Sequence, residues 1–537
     1  MSSSVEMLPI IERGLPEPAS GAAARQHVVL VRPAQLSSPG AMSSPVTPSL
    51  GLAYLAAMLV EAGISVSAVD ALGEAVDRFR EEDGYLVQGL SIDETVARID
   101  PAATVIGISC MFTQDWPWAR RLIQAVRGRF PGALLVAGGE HITALPEFSL
   151  RDCQELDLCV LGEGEETIRE IALTVRDQAA QDRVALRGVP GVAALVDGQY
   201  VAAEPRRRLR EIERIPWPAW DLFPVEGYLD SRNSHGVYRG RTFGILATRG
   251  CPYKCTFCSN PVMYGNLWMA REVEDVLDEI QSYLDKYQVE NIDFYDLTMI
   301  TRRRWILDFC RRIEERGMKF TWQLPSGTRS EVIDAEVSAA LYRTGCRNVA
   351  YAPESGSPET LEKIKKQVHL DKLVDSIRAA LGNGIVVRVN LILGFPHDRR
   401  KNLWQTLLFA WKLALVGVQD AGVYLFSPYP GTELFDELRQ KGRIGALDAD
   451  YFRSLVNYKS FFAPSHYCYA IGGRELAIWR FFMMASFFAL SFAVRPWRAW
   501  QLVRMLIKNE SETSLQQRLG VLLRRKSKAT STPSMTT

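Results

Sequence analysis

The sequence predicts an α/β protein with an N-terminal doubly wound (Rossmann-like) domain, a partial (β/α)6 barrel of the TIM type and a helical C-terminal region. Three observations predict it. Short β-rich runs alternate with helical stretches over 27–200, a second series of six strand candidates occupies 241–440, and beyond 441 only helical apolar patterning remains.

Length and composition agree with several domains. The 537 residues exceed one ordinary domain, and 47% apolar with 23% charged residues supplies ample core material. Sixty-three basic against sixty-two acidic side chains leave a formal charge of +1, a balance that does not call for nucleic acid. Residues 1–26 contain Glu6 and Glu12 and no continuous apolar core, so they read as a disordered tail and not as a signal peptide. Nine cysteines, three clustered and six scattered, make no secreted disulfide framework and suit a reducing cytoplasm with metal ligation.

HVVLVRP (27–33) is an apolar, β-branched strand ended by Pro33, and 49–63 has helical spacing that stops at Gly63. A strand at 64–71 and a helical interval follow, then strands at 103–109 and 133–139 around a helix. DLCVLGEGEET (157–167) gives a strand, a glycine-bearing turn and a new helix. Strands separated by helices predict a parallel sheet. The stretch 201–240, rich in Arg, Trp and Pro, reads as a linker packed between domains. Barrel strands are expected at 243–248, 291–296, 320–326, 348–354, 386–396 and 423–430, with helices such as 271–287 and 370–384 between them. Ligands of such barrels collect at the carboxyl ends of the strands.

Within the helical region 441–510, the stretch 476–508 is rich in Phe, Met and Trp. Its uncharged run, Phe481 to Val494, is fourteen residues, short of the roughly 20 that span a bilayer. Arg480, Arg495, Arg498 and Arg504 flank it. An interfacial helix pair, a lid over an apolar pocket and a plain cap on the barrel are the readings that composition leaves open. The last segment, 511–537, reads as a disordered tail.

The chemistry resides in TRGCPYKCTFCSNP (248–261), directly after the first strand of the second series. Gaps of three and then two residues bring the thiolates of Cys251, Cys255 and Cys258 into one loop, and thiolates are the usual ligands of iron–sulfur clusters. Three cysteines would leave one iron of a cubane open to a ligand. Structural zinc would want a fourth protein ligand; none follows at suitable spacing, and His235 lies sixteen residues upstream of Cys251. Zinc and three unrelated cysteines are the alternatives.

This motif, with its flanks in RGCPYKCTFC, resembles the cobalamin-dependent branch of the radical S-adenosylmethionine (SAM) enzymes. The resemblance covers about 27–440 and implies a [4Fe–4S] cluster whose open iron chelates SAM and, on reduction, releases a 5′-deoxyadenosyl radical. It places Phe257 beside the adenine. YAPESGSPETL (351–361) resembles the strand-four segment, where Glu354 and Ser355 would contact SAM, and a solvated glutamate is the plain alternative. RVNLILGFPHD (388–398) resembles strand five, with Asn390 and Gly394 near adenosine; SPYPGTEL (427–434) fits the strand-six closure. Asp296-Leu297 departs from the paired acids common after strand two, which leaves Asp296 without an assigned role. VAGGEHITALPE (136–147) and VLGEGEET (160–167) together resemble the cobalamin-binding domain that precedes such barrels. The pocket would be formed around Ser109, Gly138, Gly139, Gly162, Glu163 and Gly164. An Asp-x-His-x-x-Gly segment does not occur, so the resemblance implies cobalamin without a histidine ligand, and His141 is either a hydrogen-bonded turn residue or a cofactor contact.

The implied reaction is methyl transfer from SAM by way of methylcobalamin to an unactivated carbon of a small, apolar metabolite. The alternatives are a cobalamin-dependent radical cyclase or oxidative rearrangement, and a non-catalytic cobalamin or redox sensor. No residue is assigned to proton transfer. Expected partners are the small-molecule substrate and an electron donor such as a flavodoxin or ferredoxin, with peripheral membrane contact through 476–508 left open. A cytoplasmic location, either free or on the inner membrane face, is expected.

Overall fold

The computed structural model describes residues 26–39, 45–177, 183–329, 332–456, 466–508, 511–517 and 520. The expected tail 1–26 therefore lies outside the described residues except for Gln26.

The first sheet grows from strand His27–Arg32, in which Val28, Val29, Leu30 and Val31 are all buried because both faces are covered. Ser65–Asp70 pairs on one side of it and Val105–Ser109 on the other, followed outward by Leu134–Gly138 and Leu158–Val160, all parallel. This is the 2-1-3-4-5 order of a doubly wound sheet, whose ligands bind at the carboxyl ends. Val28, Leu30, Val105 and Val136 belong to an apolar cluster that continues without a break into the barrel. Val29, Val31, Ile106 and Ile108 pack under helix Trp116–Arg129.

Two features depart from the sequence reading. The sheet is mixed: Val192–Val196 and Gln199–Ala202 add an antiparallel hairpin at its edge. Its turn is Asp197-Gly198, both at positive φ. The interval 72–102, expected as helical, also contains strands. Phe79–Glu82 and Tyr85–Gln88 form a hairpin about Asp83-Gly84, joined by Gln35–Ser37, before the capped helix Ile92–Arg98. Asp-Gly between apolar runs is the strongest short hairpin signal, and both turns were open to sequence analysis.

The linker is ordered and fastens the two units. Tyr228, on helix Val225–Asp230, donates to Asp70 at 2.7 Å and accepts from Arg32 at 2.6 Å, while Trp220 Nε1 donates to Tyr283 of the barrel at 2.9 Å.

Six parallel strands form the barrel in sequential order: Thr242–Ile245, Asn291–Phe294, Thr321–Thr328, Cys346–Glu354, Val386–Leu393 and Asp420–Leu425. On the fifth, Val387, Val389, Leu391 and Leu393 are fully buried against helices, whereas Arg388, Asn390 and Ile392 form the alternate, half-buried row.

The C-terminal region attends to the barrel's unpaired edge. Helix Gly473–Val494 lies along the sixth strand and helix Arg400–Val416, burying Leu476, Arg480, Met483, Phe487 and Ser491. Arg480 Nε donates to the Val423 carbonyl of that edge strand at 2.9 Å. Residues 511–517, expected as disordered, are a correction: Ser514 meets Arg388 and Asp420, and Gln517 accepts from the Tyr238 N–H. The Ser514 hydroxyl and N–H satisfy Arg388 and Asp420 at the amino-terminal end of the barrel, which offsets the entropy of ordering the segment. The segment 521–537 lies outside the described residues.

Replacing Arg480 with Met should cost about 1–3 kcal/mol, because the Val423 carbonyl then stays buried without its donor. Thermal melting and limited proteolysis near Gly472 read the loss; a variant that melts and resists protease like the parent would eliminate the edge cap.

Candidate active site

The cysteine loop is closed at its base by Thr248–Arg249 pairing antiparallel with Met269–Ala270. Gly250 has φ +83, and a Cβ there would lie 2.3 Å from the Leu267 carbonyl, so the loop requires glycine just before Cys251. Asp296, buried at the end of the second strand, accepts the Ala247 N–H at 3.2 Å and also bonds Thr248. Its carboxylate anchors the entry to the loop, the role that the sequence left unassigned.

Cys251, Cys255 and Cys258 are each partly exposed, while the other six cysteines are buried. The Cys258 N–H donates to the Cys255 carbonyl at 3.1 Å, and the charges of all three thiols act on one another. Burial pushes the Cys258 thiol up to about 12 and raises that of Cys255. Bound iron would reverse that preference, because a coordinating thiol is deprotonated. Among the described residues no three His, Cys, Asp or Glu side chains are grouped to hold one metal ion. Three thiols in one loop are the donor type that iron–sulfur clusters use.

Glu354 closes the fourth strand at φ +67, just past a register shift after Tyr351. Left-handed backbone at a non-glycine residue stores roughly 1–3 kcal/mol and turns the side chain out of the strand's path. Its buried carboxylate accepts from Lys366 Nζ at 2.9 Å, and Lys366 lies 6.0 Å from the Phe257 ring. Burial raises the Glu354 carboxyl and Lys366 opposes that shift. Phe257 packs on Phe395 at 5.5 Å, and Arg329 lies 3.5 Å over the Tyr253 ring within the loop. Lys366, Glu354 and Arg329 all act electrostatically on Cys255. The structure thus brings together Cys251, Cys255, Cys258, Phe257 and Glu354, and adds Lys366 and Arg329. The sequence analysis singled out neither, because their partners are distant in sequence.

The remaining strand-end residues divide. Asn390 Oδ1 is buried without a protein partner, as are Thr256 Oγ1 and Asn260 Oδ1 on the cysteine loop, so this mouth holds unspent polar groups. Ser355 differs from its expected role: its hydroxyl bonds Thr406 at 2.9 Å and accepts from the Ser357 N–H, facing helix Arg400–Val416. Gly394 also proves to serve packing, because a Cβ there would meet Leu476 at 2.7 Å.

On the N-terminal domain, the register sets Ser109 beside Gly138 and Gly138 beside Val160 at the carboxyl edge of the sheet. A Cβ at Gly138 would meet nothing nearer than 3.7 Å, so the protein itself does not demand glycine there; a closely approaching flat ligand would. Gly162, at φ +72, and Gly164 continue this shelf, and the Gly162 N–H donates to Thr143. Gly139 answers an internal need, as its Cβ would lie 2.7 Å from the Cys110 carbonyl. The Glu163 carboxylate is taken by Arg208 at 2.6 Å and Arg249 at 3.2 Å, which leaves its backbone to the shelf. His141 is a hydrogen-bonded residue of the short helix Glu140–Ala144, enclosed in the core. It is fully buried, stacked on Trp116 at 4.8 Å, with Nε2 3.3 Å from Ser149.

Shelf and loop face each other across a junction of charges. Arg249, two residues before Cys251, is buried against Glu165 at 2.6 Å and Glu163, with its guanidinium 4.7 Å over Tyr54. Arg208 reaches the Tyr264 and Leu267 carbonyls, and Ser259 bonds the buried Glu140, whose charge acts on Cys258. The sequence reading missed this junction; the basic run at 206–210 was its one trace.

Arg249→Leu should destabilise the junction by about 3–5 kcal/mol, since it strands the buried Glu165 carboxylate. Lower iron and sulfide content per chain and faster cleavage between 203 and 224 are the expected readouts; wild-type values for both would refute the role. A second prediction concerns acid. Burial lowers the His141 pKa to about 3 from 6.5, so the native chain needs the neutral ring. The unfolded chain binds the extra proton, and native stability is full above pH 6.5 and lost as pH falls toward 3. The loss is about 2 kcal/mol between pH 6.5 and 5. His141→Phe should flatten that part of the melting-temperature profile, and an unchanged slope would exclude His141 as its source.

Comparison with known proteins identifies this constellation. Residues 40–172 match the B12 binding domain and 245–410 the radical SAM superfamily. An uncharacterized methyltransferase of Pyrococcus horikoshii is 30% identical over 76% of this chain and 82% of its own length. The cytidylyl-2-hydroxyethylphosphonate methyltransferase of Streptomyces wedmorensis is 27% identical over 76% and 80%. The anaerobic magnesium-protoporphyrin IX monomethyl ester cyclase of Rubrivivax gelatinosus is 24% identical over 77% and 70%. The radical SAM methyltransferase TsrM of Kitasatospora setae, solved with cobalamin and a [4Fe–4S] cluster, shares the fold with a TM-score of 0.65 at 17% identity, over 94% of this chain and 99% of that one. With the glycine shelf inside the first matched range and the thiolate loop and strained Glu354 inside the second, the chain belongs to the cobalamin-binding radical SAM enzymes, whose [4Fe–4S] cluster, SAM and cobalamin are its cofactors.

Proposed function

We propose that the chain is a C-methyltransferase acting on an unactivated carbon of a small, apolar metabolite. The observation that carries this reading is the junction itself: the glycine shelf and the cysteine loop are locked face to face by Arg249, Glu163 and Glu165. A methyl carrier and a radical source are both useful to one substrate carbon only when held across one gap. The three methyltransferases among the similar proteins support it.

When bound, the cofactors supply a carbon-centred radical and a transferable methyl group, chemistry outside the reach of side chains. The chain's residues position and exclude. Cys251, Cys255 and Cys258 offer three thiolates and leave one iron open. Phe257, backed by Phe395, offers an aromatic face for a purine. The Glu354–Lys366 pair places opposite charges beside Cys255, suited to an amino-acid head group. Asn390 offers its unpartnered carbonyl oxygen to the adenosine part. Ser109, Gly138, Gly162 and Gly164 would offer close-approaching backbone to a corrin, and His141 is enclosed in the core beside Trp116. A low-potential donor such as a flavodoxin or ferredoxin would reduce the cluster in the cytoplasm.

The similar cyclase favours ring formation or oxidative rearrangement as a second reading. Anaerobic incubation of the reconstituted, cobalamin-loaded protein with methyl-labelled SAM separates the two. Methyl transfer predicts label retained by the loaded protein after gel filtration and later present in an apolar product; no retained label, with 5′-deoxyadenosine still formed, would give preference to the cyclase. Cys255→Ala should abolish 5′-deoxyadenosine formation with dithionite. Turnover persisting in that variant, or a protein without corrin absorbance after loading, would defeat the assignment.

A further inference from the structure

We infer that helices Arg400–Val416 and Gly473–Val494, with the start of Trp497–Lys508, form a docking face for an anionic lipid bilayer, on which the enzyme lies without crossing it. The first two helices run parallel: Arg400 pairs with Glu475 at one end, Trp404 meets Trp479 at 5.0 Å, and Trp411 donates to Ser486. At the other end Arg495 reaches the Ala414 and Leu415 carbonyls. Together they present one surface.

That surface is apolar. Ile478 is 68% exposed, Phe481 63% and Phe482 46% on one helix. Trp404, Leu408 and Leu415 are each at least half exposed on the other. Large aromatic and aliphatic side chains clustered in this way mark an interaction site. Trp497 and Trp500, at 58% and 66%, continue it, in the residue type that favours the headgroup boundary.

Charge names the occupant. Between 476 and 508 the sequence has no acidic residue; Arg480 is turned into the barrel, whereas Arg495 and Arg498 are half-buried and Arg504 is exposed. A second copy docking face to face would set these cations against their own duplicates, whereas anionic headgroups would complement them.

Geometry excludes a span. Gly473–Val494 is long and apolar enough to cross a bilayer, with mean hydropathy 1.7 over its best window, of which only 22% is buried. Its other stripe, however, is bound to the barrel through Leu476, Arg480 and Met483, and Arg480 caps the edge strand. Insertion would strip that edge, so the helix lies in the interfacial plane. Leu476 also packs on Gly394 at the carboxyl end of the fifth strand, which places the lipid face close to the barrel mouth.

The test is flotation of the full-length, cluster-reconstituted protein with vesicles of phosphatidylcholine and phosphatidylglycerol, or of phosphatidylcholine alone. Docking predicts co-flotation with the mixed vesicles, weaker with the neutral ones, reduced but not abolished by high salt. Ile478→Ser with Phe481→Ser should weaken partition roughly tenfold or more at unchanged melting temperature and 5′-deoxyadenosine yield. Quenching of tryptophan fluorescence by brominated lipid gives a reading on the unmutated chain. Absence of flotation and quenching, equal flotation of the double variant, or a dimer that the double variant dissolves would each overturn the inference. Extraction from vesicles by detergent alone would do so too, in favour of a spanning helix. None of these outcomes depends on which reaction the enzyme performs.

Discussion

The architecture turns on one buried cation. Arg249 lies between two domains with Glu163 and Glu165 from the sheet domain around it, and Tyr54 beneath. A buried ion pair is costly in desolvation and is favourable only when its geometry is complete. If the domains separate, Arg249 and Glu165 lose the pairing that offset their burial. The pair therefore does more for specificity than for net stability: it allows one relative placement of the glycine shelf and the cysteine loop. Because Arg249 is two residues from Cys251, that placement is passed directly to the thiols.

The barrel is open, and the chain closes it with its own termini of structure. Gly473–Val494 covers the sixth strand, and Leu476 enters the space that Gly394 leaves beside the fifth. At the opposite end of the strands, Ser514 and Gln517 satisfy Arg388, Asp420 and the Tyr238 N–H. A six-stranded sheet has two edges and a polar lower end, each of which would otherwise expose unpaired backbone or charge. The C-terminal region meets those demands with one face and leaves its other face to the surroundings. Its two aspects explain why composition alone allowed a cap, a lid and an interfacial helix at once.

Much of the fold and the centre of the site were legible in the sequence because they depend on local signals. Alternating β and α patterns gave all six barrel strands, and the cysteine spacing located the loop. The parallel core of the first domain was equally readable; its edge hairpins were missed although Asp83-Gly84 and Asp197-Gly198 announce them. What stayed hidden depends on distant partners. Nothing near Lys366 says that its amine turns inward to Glu354, and nothing in the run 206–210 distinguishes Arg208, which clasps the loop, from the exposed Arg207 and Arg210. Ser355 and Gly394 were legible as motif members, but not the hydrogen bond of the one to Thr406 or the contact of the other with Leu476. His141 shows the same limit: burial, not its neighbours in sequence, makes it a core residue.

The places where local rules are broken converge on the mouth of the barrel. Glu354 takes a left-handed backbone, Lys366 and Arg329 keep their charges nearly buried, and Thr256, Asn260 and Asn390 each retain an oxygen without a protein partner. Each feature is unfavourable by itself, and in an ordinary core they would be scattered or removed. Their concentration beside three partly exposed thiols has a physical purpose. A site that must bind a charged sulfonium ligand and hold it still during one-electron chemistry needs polar groups oriented before the ligand arrives. The folding free energy of the two sheets and of the Arg249 junction holds them in that state. Ligand binding then completes interactions that the protein has left incomplete, and the reacting carbon meets groups that no longer need to move.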